Sequence, residues 1–328
     1  MTEGAVLSAL FVICTIIAIS TGLGYTLYLD IIVPILVTIV YIKLDYKYMI
    51  LMCISTFLIT IFTVGDVVSA IWLVQGMLIG FICSLVISRK TNILDDFIYA
   101  SILGTFVMIL IDVYFQTLTG YSFIKDAQNT IDGVVKFMSV NMSAAAISKE
   151  TINSFCYILI ASLPMGTILV VYIAALFFAK KLRILKGNVK DKYLILGNFR
   201  KIGAYISFSR EIFNLSIIYT ILIELIKIFG ITIPFVYLRT VLMAIEVIAF
   251  YVLIKDSYSF VMKYMVYRVK ARKIYPLISL IIFMLLISEF KITIAALVIA
   301  SIYIDHKMKL REKQAIVVEK FIQAEKLK

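Results

Sequence analysis

Histidine occurs once in the chain, at His306, and proline only four times. One histidine rules out a histidine-based triad and any multi-histidine metal site. The four cysteines, Cys14, Cys53, Cys83 and Cys156, each stand alone in an apolar run. With no C-x-x-C pair, they read as small hydrophobes packed between helices rather than as disulfide or metal ligands. No G-x-x-x-x-G-K-[ST] stretch is present, so the chain is not itself a P-loop ATPase. Charged residues make up only 16% of the sequence, too few to cover a water-soluble domain. Nothing calls for a cofactor, and an enzyme is not expected.

What the chain does have is apolar sequence, 62% of its 328 residues. A spanning helix needs about 20 such residues, and runs of that kind recur almost throughout. The expected fold is all-α, a polytopic integral membrane bundle of about ten spans. These lie at 4–22, 27–42, 48–64, 67–87, 97–119, 154–179, 211–229, 234–254, 274–288 and 291–305. Residues Met1 to Glu3 carry no Lys or Arg, and a second apolar run follows at once. The first segment therefore reads as a retained span, not a cleaved signal. Residues 274–305 read as two short helices turning at "SEFK", or as one long tilted helix.

Lysine and arginine set the orientation, because cytoplasmic loops hold an excess of them. The loops at 43–47, 88–96, 180–210 and 255–273 are basic, whereas 23–26, 65–66 and 230–233 contain none. Ten spans place every basic loop on one side of a bacterial plasma membrane and both termini in the cytoplasm. The net charge of +12 then faces anionic lipid head groups, and nucleic acid need not be invoked.

Four parts follow from this threading. Residues 1–180 form a six-span domain, with an amphipathic outer segment at 120–153. In that segment Ile124, Ile131, Val135, Met138 and Met142 fall at helical spacing, so it lies on the membrane or closes over a cavity. A basic loop at 181–210 leads to a four-span domain at 211–305. The tail at 306–328 reads as a helix that rests on the membrane or binds a partner.

Polar residues inside apolar spans are costly, so each is paired or functional. Asp112 and Gln116 share a face of the fifth span, and Trp72 and Gln75 share one of the fourth. Asp30 and Asp66 sit near the outer ends of their spans. The six together describe either a polar pocket for a small solute or a set of interhelical hydrogen bonds. Farther along, Glu224 and Lys227 lie three apart, and Glu246 follows Arg239 by seven. Opposite charges at such spacing neutralise one another, or serve an ion path. Pro164 with Gly166 can kink the sixth span.

Ala5 and Ala9 stack on one face of the first span, with Ser8 beside them. Small residues four apart allow a close approach by another helix, which makes this a candidate docking face.

The stretches "TEGAVLSALFVI", "IIVPILVTIVYIKLDYKYMILMCIST", "WLVQGMLIGFICSLVISRK" and "IYIDHKMKLRE" resemble the YybS-like family of multi-pass membrane proteins of Gram-positive bacteria. The front half is similar to the substrate-binding S components of energy-coupling-factor transporters. The resemblance implies that Ala5 and Ala9 match an A-x-x-x-A motif contacting a transmembrane coupling subunit, which works with ABC-type ATPases. S components usually end after six spans, whereas this chain runs on. Two functions remain: a transporter-like solute-binding subunit, or a non-transporting membrane scaffold or regulator that recruits cytoplasmic or envelope partners.

Overall fold

The computed structural model describes residues 2–22, 27–65, 67–126, 129–130, 133, 149–231, 233–267 and 275–327. Among these the chain is helical, with no strand. It forms two compact units, residues 1–196 with 233–245, and residues 197–232 with 246–328.

The first unit contains α1 (Thr2–Thr21), a π-helical turn (Tyr28–Ile32), α2 (Val33–Leu44), α3 (Tyr46–Val64), α4 (Val67–Ser88), α5 (Ile93–Thr119), α6 (Lys149–Lys181) and α7 (Gly187–Gly197). Helix α2 packs against α1, α3, α4 and α6. Around it, Phe11 of α1, Leu29 of the π-turn, Val33 and Val37 of α2, Met52 of α3 and Leu73 of α4 form one apolar cluster.

The tightest packing joins α2 to α4 and depends on two missing side chains. Gly76 and Gly80 are four apart, and both face α2. A Cβ on Gly80 would lie 2.6 Å from the Pro34 carbonyl and 2.8 Å from the Val37 Cβ; one on Gly76 would overlap the Leu29 carbonyl. The Thr38 hydroxyl uses this proximity, lying 2.8 Å from the Pro34 carbonyl and 3.0 Å from that of Gly80. In lipid, such backbone approach replaces the hydrophobic drive as the source of adhesion.

The second unit contains a single turn (Phe199–Ile202), a 3₁₀ turn (Gly203–Tyr205), α8 (Arg210–Ile228), most of α9 (Val236–Tyr267), α10 (Tyr275–Ser288), α11 (Phe290–Met308) and α12 (Leu310–Lys326). Ser209 caps α8 by accepting from the Ile212 N–H. Residues 274–305, with two readings in the sequence, comprise two helices broken at Glu289 and packed on each other. Ile282 of α10 and Leu297 of α11 meet in one cluster with Val261 of α9.

The described parts of all ten apolar segments fall mainly on helices, and among the described residues five helices are long and apolar enough to cross a membrane. They are Tyr46–Thr63, Val67–Ser88, Ile93–Thr119, Tyr157–Lys181 and Val236–Val266. The remaining segments differ among themselves: the π-turn runs on into α2, so that residues 27–44 are helical without a break. Helix α8 carries Arg210, Glu211, Glu224 and Lys227. Outward faces are strongly apolar: Phe62 is 83% exposed and Phe283 62%. Surfaces of this kind suit hydrocarbon rather than water. Helices and outward faces of this kind are compatible with an integral membrane protein.

The stretch 181–210, expected as a loop, is largely helical. The reason is amphipathicity: Val189, Lys192 and Ile195, three residues apart, form the buried face of α7. Helix α6 runs through Pro164 without interruption of its assignment. Of the outer segment 120–153, Ile124 is buried, while Ile131, Val135, Met138 and Met142 lie outside the described residues.

The glycine contact yields a direct test. Gly80→Ala should destabilise the protein by about 1–3 kcal/mol through overpacking, read as a lower melting temperature in detergent. Gly166→Ala, on an open face of α6 with nothing within 4 Å of the new methyl, should be neutral or gain up to about 1 kcal/mol in helix propensity. Equal effects at the two positions would contradict the packing described.

Candidate functional site

Of the six residues expected to form a polar pocket, the five that are described divide into separate groups within the first unit. Asp30 sits on the π-turn and Trp72 on α4. The Trp72 indole N–H donates to Asp30 Oδ1 at 3.0 Å, with both side chains half-buried. Gln75 is one helical turn farther along α4 and is also half-buried. Asp66 lies outside the described residues.

Asp112 has a different environment. Its Oδ2 accepts from the Ser122 hydroxyl at 2.7 Å, and its Oδ1 from the Phe123 N–H at 2.8 Å. The Ser122 hydroxyl also accepts from the Lys125 N–H at 3.2 Å. The carboxylate therefore holds the N-terminus of the helical turn that begins at Phe123, where orphan N–H groups favour an anion. Gln116 Oε1 accepts a hydrogen bond from the Tyr237 hydroxyl, which lies 3.1 Å from Ser122 Oγ. Asp112 and Gln116 thus tie α5 to the following turn and to the start of α9. Hydrogen bonding within the chain occupies both.

The docking candidates lie on α1. Ala9 is exposed; the side chains of Ala5 and Ser8 lie outside the described residues. Val6, Leu10, Ile13 and Ile17 continue the exposed stripe, while Phe11 and Ala18 face inward.

In the second unit the expected Glu224–Lys227 pair is present, and Glu246 takes Lys227 rather than Arg239 as its partner. Lys227 Nζ reaches Glu246 Oε1 at 2.6 Å and Oε2 at 2.9 Å, and Glu224 Oε1 at 3.4 Å. Glu224 Oε2 then meets Lys291 Nζ at 2.7 Å. Two acids and two bases form an alternating, neutral chain around Glu246, which is 5% exposed. Arg239 is exposed and makes no ion pair among the described residues.

Two buried clusters were not anticipated. In the first unit, Lys192 of α7 meets Asp96 of α5 at 2.6 Å, with both side chains almost fully buried. Lys192 Nζ also donates to the Val86 carbonyl at 2.6 Å. The Tyr172 hydroxyl donates to Asp96 Oδ2 at 2.7 Å, and Thr91 donates to Oδ1. Burial lowers the Lys192 pKa from its ordinary value, and the Asp96 charge opposes that shift. The signal was available: Lys192 falls at spacing three between Val189 and Ile195, on an apolar stripe.

The second cluster centres on Arg311 at the start of α12. Its Nη1 donates to the Phe208 carbonyl and, at 2.7 Å, to Asp256 Oδ2. Its backbone N–H donates to Asp305 Oδ1 at 3.1 Å, and Nε lies 3.4 Å from Asp305 Oδ2. The guanidinium is flanked by the rings of Phe213 and Phe260, 4.4 and 4.8 Å from their centroids. Asp256 Oδ1 further accepts from the Phe208 N–H at 3.3 Å and from Lys255 Nζ at 3.2 Å.

No family model, curated protein or solved structure matches the chain. Among the described residues no group of three or more His, Cys, Asp or Glu side chains is placed to hold a metal ion.

Removing Arg311 would leave Asp256 and Asp305 buried without their main cation. Arg311→Met should cost about 3–5 kcal/mol, seen as loss of a folded monodisperse species in detergent or a steep fall in melting temperature. Lys192→Met should be similarly damaging. Adding Asp96→Asn should recover part of that loss, because the second change removes the stranded charge. Additive losses in the double variant would show that the two groups do not act as a pair.

Proposed function

We propose that the chain is a ten-crossing protein of the bacterial plasma membrane, with its basic turns and both termini on the cytoplasmic side. Its first six helical segments would act as a transporter-like solute-binding subunit. The observation that carries this reading is the half-buried Asp30–Trp72 pair with Gln75 one turn away. An acid, an indole and an amide on two adjoining elements can exchange their mutual contact for contact with a polar solute. Asp112 and Gln116 would brace that site rather than line it. The resemblance to YybS-like proteins and to S components belongs to this proposal. So does a coupling subunit docked on the α1 face at Ala5 and Ala9 with its ATPases.

The second reading, a non-transporting scaffold or regulator, draws support from the internal satisfaction of Asp112 and Gln116. The two readings differ in what a ligand does. A solute-binding subunit should gain melting temperature with at least one member of a metabolite library, and Asp30→Asn with Trp72→Phe should abolish the gain. The same library should leave a scaffold unmoved.

Docking and threading are tested separately. Ala5→Leu with Ala9→Leu should weaken co-purification with a coupling subunit, and unchanged association would remove that role from α1. Reporters fused after Lys186 and at Lys328 should be active only in the cytoplasm. Activity on the other face would overturn the threading.

A further inference from the structure

Asp96, Asp112 and Asp30 of the first unit differ in what answers their charge. Asp96 meets Lys192, and Asp112 accepts from the Ser122 hydroxyl and the Phe123 N–H. Asp30 has much less. Its Oδ1 accepts from the Trp72 indole at 3.0 Å, and among the described residues it forms no ion pair and accepts no other hydrogen bond. Its Oδ2 is not one of the buried atoms left without a partner, so that oxygen keeps accessible surface. A carboxylate partly withdrawn from water and opposed by one neutral donor carries a desolvation cost that a cation would offset.

The backbone that carries Asp30 is held on two sides. It lies in the π-helical turn Tyr28–Ile32, a rare conformation found often at functional sites. Tyr28 and Leu29, just before it, are buried. The Tyr28 hydroxyl lies 3.0 Å from Thr15 Oγ1 of α1, and the Leu29 carbonyl sits against Gly76 of α4, where a Cβ would overlap it. Asp30 and Trp72 nonetheless stay half-buried, as does Gln75 three residues along α4. An accessible carboxylate oxygen beside an indole suits a positive charge twice over, by ion pairing and through the negative face of the ring. A bare metal ion would call for several oxygen ligands. An organic cation needs only the two groups present, and its apolar part is at home against the ring.

We infer that the solute taken at Asp30 and Trp72 is a small organic cation, an ammonium or guanidinium compound. This rests on the solute-binding reading above and adds the charge class of the solute. The cation would pair with Asp30 Oδ2 and lie on the Trp72 ring, while the indole N–H keeps its bond to Oδ1. Asp30 is then left unpaired in the empty protein because its partner is the solute.

Melting temperature and binding of the full chain in detergent test this with charge-matched pairs of probes. These are choline against its uncharged carbon isostere, phenethylammonium against phenethyl alcohol, and phenylguanidinium against phenylurea. At least one cation should raise the melting temperature while its neutral partner does not. Asp30→Asn should weaken binding of that cation about tenfold or more, and Asp30→Glu should keep the preference for charge. Without solute, Asp30→Asn should melt higher than wild type, since it removes an unanswered charge and can still accept from Trp72. A lower melting temperature would make Asp30 a structural partner of Trp72 and overturn the inference. So would equal shifts within every pair, or a cation shift that survives Asp30→Asn. Shifts confined to neutral or anionic members of a metabolite library, and lost in Asp30→Asn with Trp72→Phe, would refute the cation and leave the solute-binding reading standing. No shift with any compound would remove both.

Discussion

The interior of a bilayer offers no hydrogen-bond partner, so any polar group carried into it must be satisfied by the protein itself. That constraint accounts for most of what holds each unit together. Helices cannot rely on the hydrophobic effect to find one another where lipid tails are as apolar as leucine. The first unit answers with absent side chains. Gly76 and Gly80 bring the α4 backbone against α2, and Thr38 takes up the resulting contact with a shared hydrogen bond. The second unit answers with charge. Arg311 links a backbone carbonyl at Phe208 to carboxylates on α9 and α11, with a phenyl ring on either side.

Buried ion pairs are poor evidence of net stability, because desolvation cancels much of their attraction. They are better evidence of specification. Lys192 finds a low-energy place only where Asp96, Tyr172 and the Val86 carbonyl converge, and that convergence fixes how α7 sits on α5 and α6. The network of Arg311 places the start of α12 in the same way. A tail helix that read as free to lie on the membrane is thus anchored at its first turn.

The helical segments were legible in the sequence because apolar runs of such length leave few alternatives, and the break at Glu289 followed from "SEFK". The crossing number was less so, because the charges of α8 are visible in the sequence but do not state whether that helix crosses or rests on the membrane. Small-residue spacing was read on α1, at Ala5 and Ala9, while the same spacing in "GMLIG" forms the close contact between α2 and α4. A motif states that a helix can be approached closely, not by which neighbour. Partner choice was illegible for the same reason. Glu246 and Arg239 share a helical face at spacing seven, yet Glu246 takes Lys227 from another helix. Lys192 was hidden among the many basic residues of 180–210, although its apolar flanks set it apart.

Function in such a protein is best sought where the internal bookkeeping fails to close. Asp112, Gln116, Asp96 and Glu246 all have partners suited to them, and a solute would have to displace those partners to gain anything. Asp30 and Trp72 hold one another through a hydrogen bond at a half-buried position, where a polar ligand offers comparable contacts with less loss. Lys263 Nζ and Gln314 Oε1 lack hydrogen-bond partners among the described residues, but the packing that buries both atoms stands between them and any ligand. The ordering follows from desolvation alone: a group already deprived of water gains the full value of a new partner, whereas a paired group gains only the difference.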